Sequence, residues 1–259
     1  MTLRSIGLTT ELALIAIAGE VVDRGDYLVG RVPDQASWYD GNLLVFPAAP
    51  QVGEVAYWTR KFTAELGSDP NIHHVTLAWD GIRGDVGARE ELVAQGFTLD
   101  IRQVMTARSL TALPVAAGID VRPLYAREVP DAGDLAFTVS DDHSDGLRQF
   151  LDRRAQWQQA MVASGVAMWW GAFANKQLVG SLGLVALGDR ARFQDVQTLA
   201  PFRKRGIAGA MLAAAANAVL PTVKELVIVC EPDSAASRVY ERVGFTAIER
   251  VVQARRRPV

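Results

Sequence analysis

The 259-residue chain has a single cysteine, Cys230, and three histidines, His73, His74 and His143. One thiol excludes an intrachain disulfide and the disulfide-framed fold of a small secreted protein. Histidines without ligand spacing leave no metal site to expect. Strong charge of one sign is also missing: 27 Lys and Arg against 29 Asp and Glu give a net charge of -2. A protein built to hold nucleic acid normally carries a markedly basic domain, so no nucleic-acid partner is expected. Long apolar runs are absent too. The longest near the start, Leu12 to Gly19, abuts Glu11 and falls far short of the ~18 residues that suggest a membrane span. Ala16-Ile17-Ala18 imitates a signal-peptidase site, yet the short run favours an amphipathic first helix in a cytoplasmic protein, with no membrane partner.

What remains is an ordinary globular composition, 49% apolar and 22% charged, long enough for two small domains. The charge is uneven. Residues 1–110 sum to -5 and residues 111–259 to +3. The basic excess sits in Arg203-Lys204-Arg205 and in Arg255-Arg256-Arg257, the second of which reads as a solvated tail. Leu110 to Gly118 is small, uncharged and contains Pro114, so it reads as a linker between domains 1–110 and 119–259.

Beyond the linker the pattern gives a strand over 119–124, helices near 128–137 and 145–163, and strands over 167–174 and 178–187 joined by a turn at Asn175-Lys176-Gln177. A strand follows over 192–199, with Phe193, Asp195, Gln197 and Leu199 on one face. The alanine-rich run from Gly206 to Leu220 is a helix stopped by Pro221. Glu225 to Cys230 is a buried strand, a helix capped by Asp233 or Ser234 runs to Gly244, and a last strand starts at Phe245. That order describes an α+β domain. The first domain repeats its second half. Ala88 to Thr98 (AREELVAQGFT) matches Ala236 to Thr246 (ASRVYERVGFT) at Ala, Gly, Phe and Thr, and a helix and a strand precede each copy, as an internal duplication would produce.

The chemistry concentrates in Thr198-Leu199-Ala200-Pro201-Phe202-Arg203-Lys204-Arg205-Gly206-Ile207-Ala208-Gly209. A strand ends, a basic turn follows and a helix opens on small residues, so free backbone N–H groups converge as a phosphate cradle. Three cations at the positive end of a helix dipole are unfavourable unless an anion binds there. The spacing is neither that of a Walker loop nor that of a dinucleotide fingerprint.

Arg203-Lys204-Arg205-Gly206-Ile207-Ala208 resembles the R-x-x-G-x-G/A motif of the GCN5-related N-acetyltransferases. Asp233 to Tyr240, then Gly244-Phe245, resembles that family's later N-x-x-A-x-x-L-Y and G-F signature. The resemblance covers about residues 119–252. It implies a mixed, mostly antiparallel sheet flanked by helices, in tandem, with a truncated N-terminal copy and a complete C-terminal one. It implies acetyl-CoA as co-substrate, held by Thr198, Leu199, Arg203, Lys204, Arg205, Gly206, Ile207, Ala208, Asp233 and Ser237. Tyr240 is implied as the acid that protonates the leaving thiolate. The acceptor would be a small-molecule or peptide amine attacking the thioester directly in a ternary complex. In the first domain the equivalent turn reads Ala49-Pro50-Gln51-Val52-Gly53-Glu54 and Leu92 replaces the tyrosine, so that copy is expected to bind no cofactor.

Relatives carry a carboxylate where this chain has Gln197, which cannot take a proton from an ammonium. Asp195, Glu231 and a water relay are the alternatives for the base. A catalytically silent CoA-binding or interaction module is the rival reading. The oligomeric state stays open, a homodimer included. The acidic loop Ser140 to Asp145 hints at a cationic acceptor.

Overall fold

The computed structural model of the chain describes residues 1–257; the last two positions of the expected domain 119–259 lie outside the described residues. In chain order the first half holds α1 (Ile6–Ala18), β1 (Glu20–Asp23), β2 (Leu28–Arg31), β3 (Leu43–Phe46), α2 (Val55–Leu66), β4 (Val75–Trp79), α3 (Arg89–Ala94) and β5 (Thr98–Ala107). The second half holds β6 (Ile119–Pro123), α4 (Val129–Val139), α5 (Asp145–Ala163), β7 (Ala167–Ala174), β8 (Gln177–Leu187), β9 (Arg190–Thr198), α6 (Ile207–Val219), β10 (Glu225–Cys230), α7 (Ala235–Val243) and β11 (Thr246–Arg256). The chain forms two compact units, one of Met1–Val104 plus the chain from Ile248 onward, the other of Met105–Ala247.

In the first unit the strand order is β1-β2-β3-β4-β11-β5. β3 and β4 run parallel, with Leu44 opposite Leu77 and Phe46 opposite Trp79, and both are buried along their length, as unbroken apolar strands require. α2 lays Val55, Trp58, Phe62 and Leu66 on them at helical spacing, and Trp58 stacks on Phe46 at 3.8 Å between ring centres. α1 is present, but not as an amphipathic helix: Leu12, Leu14 and Ile15 are all buried.

The boundary expected at residues 110 and 119 changes in two respects, the first being that the division falls between Val104 and Met105, inside β5. From Ile248 the last strand belongs to the first unit, where it runs antiparallel to β4 with Gln253 opposite Ala78. A second tie is chemical. The buried Glu249 carboxylate accepts from Ser5 Oγ at 2.8 Å, Ile6 N at 2.9 Å and Gly7 N at 3.2 Å, placing a negative charge on the N-terminus of α1. Of the three terminal arginines only Arg257 is exposed as a solvated tail would be; Arg255 and Arg256 are docked. Arg255 bonds to Asp40, and Arg256 lies 5.0 Å over the Phe97 ring. Burial works against the charge of Asp40, but Arg102 and Arg255 beside it overcome that and hold its carboxyl below the usual range.

The second unit has the order β5-β10-β9-β8-β7-β6, entered through the last residues of β5. β6 to β9 pair antiparallel, and β9 and β10 pair parallel. Asn175 and Lys176, at φ 49° and 67°, make the two-residue turn between β7 and β8 that a right-twisted hairpin favours. The core joins Leu182, Leu184, Phe193, Met211, Leu212, Leu226 and Phe245. The result is the expected α+β fold, a mostly antiparallel sheet flanked by helices.

Candidate functional site

The site grows from the junction of β9 and α6. Lys204 and Gly206 both have left-handed backbone, φ 62° and 80°, which folds the turn back on itself. The first α-helical bond of α6 runs from Ala210 N to Gly206 O, and no side chain caps the helix. The N–H groups at its start therefore have no acceptor inside the helix. Side chains cap α1, α5 and α7 through Ser5, Ser144 and Ser234, whereas α2, α3 and α4, like α6, have no side-chain cap. A cavity of about 430 Å³ opens on this uncapped end, lined by Thr198, Arg203, Lys204, Gly206, Ile207, Ala208 and Gly209, with Val239 and Arg242 of α7. Cations beside a free helix N-terminus suit a phosphate or diphosphate.

A second cavity of about 300 Å³ shares Thr198, Arg203, Ala208 and Val239 with the first and adds Gln197, Tyr240 and Val139. Tyr240 is 5% exposed. Burial, reinforced by the Cys230 thiol, pushes its phenol well above the usual value. It therefore keeps its proton through neutral pH. Cys230 itself is pushed up to about 11, by burial and then by Glu241 and Glu231, so it is no nucleophile at neutral pH.

Gln197 has a fixed orientation. Its Nε2 donates to Ala132 O and to Ser181 Oγ, both at 2.8 Å. Because a main-chain carbonyl only accepts, the nitrogen must face Ala132, which leaves Oε1 as an acceptor.

Asp195 is placed elsewhere, contrary to its expected position on the face of Gln197. The ladder sets Ser181 opposite Gln197 but Gly183 opposite Gln194, so β9 holds one extra residue in a bulge where Asp195 takes φ 50°. Gln197 thus shares a face with Gln194 rather than with Phe193. The Asp195 carboxylate accepts from Gln158 Nε2 at 2.8 Å and pairs with Arg154 at 3.2 Å, and it lines neither cavity. Glu231 is exposed just past β10 and lines neither. Arg205 turns its guanidinium over the Phe202 ring, 5.0 Å away. Leu199 packs against the core. Ser237 caps locally, its Oγ donating to Ser234 O at 2.9 Å, and Asp233 O accepts from Arg238 at 2.8 Å.

The residues that sequence reasoning missed come from the supposed linker and from α7. Leu113 and Pro114 line the first cavity. Thr111 N donates to Val243 O at 2.8 Å and Ala116 N to Arg205 O at 3.0 Å, so the segment is docked, not free. A Cβ on Gly206 would sit 2.1 Å from Pro114 O. Glycine is thus required there by this segment as well as by its φ.

Comparison with known proteins agrees with this geometry. Residues 138–256 match the acetyltransferase (GNAT) domain family. This stretch of the chain is similar to a GNAT acetyltransferase domain. No curated protein matches it in sequence. In structure it is similar to a functionally unknown conserved protein from Staphylococcus epidermidis, with a TM-score of 0.75 and 13% identity over 94% of this chain and 96% of that one. A GCN5-related N-acetyltransferase from Kribbella flavida gives 0.69 and 14% over 98% and 96%. A tandem GNAT protein from the clavulanic acid biosynthesis pathway gives 0.52 and 13% over 80% and 71%. At such identities these likenesses speak for the fold. Acyl transfer from acetyl-CoA is the chemistry of that family. Among the described residues no helix is long and apolar enough to cross a membrane, and no cluster of three His, Cys, Asp or Glu is arranged for a metal ion.

Proposed function

We propose that the second unit moves an acetyl group from acetyl-CoA to a primary amine of a small molecule or peptide, by direct attack in a ternary complex. The observation that carries this reading is a pair of cavities that share Thr198, Arg203, Ala208 and Val239, one on the uncapped N-terminus of α6 with Arg203 and Lys204, the other lined by Tyr240 and Gln197. The diphosphate lies on the helix end, and the thioester reaches the second cavity past Thr198. The amine nitrogen attacks the thioester carbon, the C–N bond forms and the C–S bond breaks, and the sulfur leaves as thiolate. Tyr240 donates its O–H to that sulfur. Because its phenol is held above a thiol's ~8.5, complete proton transfer is uphill, and the bond acts by strengthening as charge builds on sulfur.

The nitrogen must also lose a proton. No carboxylate lines either cavity, so water is the acceptor in this reading, and Gln197 Oε1 orients the amine by accepting one of its N–H groups. The first unit binds no CoA. There Gly53 N already donates to the Glu91 carboxylate at 2.6 Å and Gln51 N to the Glu54 carboxylate at 2.7 Å, so two acids of the chain occupy the place of an anion. The test is CoA release with a panel of amines across pH. For an alkylamine of pKa ~10.4, the rate should climb about tenfold per pH unit between pH 6 and 9. Absence of release with every amine would favour a silent CoA-binding module.

A further inference from the structure

The segment between β5 and β6 has the composition of a spacer but the contacts of a binding element. Its two ends are pinned, Thr111 N to Val243 O at 2.8 Å and Ala116 N to Arg205 O at 3.0 Å. Between the pins, Leu113 packs where a Cβ on Gly209 would meet its Cδ1 at 3.1 Å, and Pro114 O abuts Gly206. This strap therefore spans from the C-terminal end of α7 to the phosphate turn, and Leu113 and Pro114 form a wall of the first cavity.

The two cavities also fix which end of the co-substrate the strap meets. Tyr240 and Gln197 belong to the second cavity alone, and Leu113, Pro114 and Arg242 to the first alone. A thioester at Tyr240 and a diphosphate on the helix end leave the nucleoside side of the molecule facing the strap. We infer that the strap Thr111–Ala116 is part of the donor site, with Leu113 and Pro114 packing against the adenosine 3′-phosphate portion of CoA and Arg242 pairing with its phosphate charge. This rests on the acetyl-CoA reading above. Apolar surface from the strap and a cation from α7 suit a base and a phosphate respectively. The site would then discriminate a full CoA thioester from one truncated at the phosphopantetheine.

Hydrogen exchange on the full chain with and without acetyl-CoA tests this without any substitution. Bound donor should slow exchange at the amides of Thr111 and Ala116 together with those of Gly206–Gly209, by about tenfold or more at saturation. Slowing at Gly206–Gly209 with none at Thr111 and Ala116 would overturn the strap's role and leave the CoA reading standing. Slowing at neither would overturn both. As a second arm, Leu113→Ala should weaken acetyl-CoA binding about tenfold while leaving the affinity for S-acetyl-phosphopantetheine unchanged. Equal loss for both ligands would make the strap a structural support only.

Discussion

Gly206→Ala tests how the phosphate turn is held. Two costs add at this position. An L-residue in left-handed backbone costs roughly 1–2 kcal/mol, and Gly206 has φ 80°. The new Cβ would also sit 2.1 Å from Pro114 O, main chain that cannot rotate away, so the strap must move. Displacing it breaks the Ala116 to Arg205 hydrogen bond, worth about 1 kcal/mol, and uncovers part of Leu113, worth about 1 kcal/mol more. The expected loss is about 3–4 kcal/mol. Gly188 supplies the control, since its φ is 67° and nothing lies within 4 Å of its Cβ direction; Gly188→Ala should cost only about 1–2 kcal/mol. Urea unfolding followed by circular dichroism measures both. Equal destabilisation by the two substitutions, within about 0.5 kcal/mol, would refute the contact between strap and turn. The clash also makes any Gly206 variant a poor probe of CoA binding by itself, because lost affinity would mix a blocked cradle with a displaced strap.

Three further outcomes are expected. Tyr240→Phe should lower kcat about 100-fold with acetyl-CoA affinity unchanged by titration; a parallel fall in affinity would make the hydroxyl a binding group. Asp195→Asn should cost about 1 kcal/mol of stability through lost pairing with Arg154 and leave the pH profile of kcat/KM in place, whereas a shifted acidic limb would restore Asp195 as the base. The Glu128 carboxylate is held down to about 2 from 4.5, chiefly by Arg122 and also by the Tyr125 N–H. A carboxyl depressed on folding stabilises above its unfolded pKa, and that contribution fades as pH falls from about 4.5 to about 2. Glu128→Gln should therefore destabilise at pH 7 and converge with the wild type near pH 2; a constant difference between these limits would contradict the assignment.

Local chemistry made much of the second unit legible. The Asn175-Lys176 turn, the alanine-rich helix stopped before Pro221 and the Gly244 cap, at φ 118°, each state their structure within a few residues. The basic turn before α6 was equally readable, because three cations at a helix start make physical sense only with an anion. What could not be read depends on pairing at long range. A bulge inserts one residue without disturbing the alternation of residue types, so Asp195 and Gln197 looked cofacial until the partner strand's register was known. The alternation in β11 announces a strand but not its sheet, and the carboxylate of Glu249 gives no sign in sequence that it serves the start of α1. Leu110–Gly118 lacks charge and periodicity, the marks of a linker, while its docking depends on Gly209 and Val243, roughly a hundred residues away or more.

Isothermal titration with acetyl-CoA tests the proposed donor site directly. One molecule should bind per chain, on the uncapped end of α6, with affinity falling at least about tenfold in Arg203→Ala/Lys204→Ala and falling with added salt in the wild type. Two molecules per chain would show that the first unit kept a donor site despite Glu54 and Glu91. No binding, or full binding by the double variant, would contradict the assignment of the donor site to this turn.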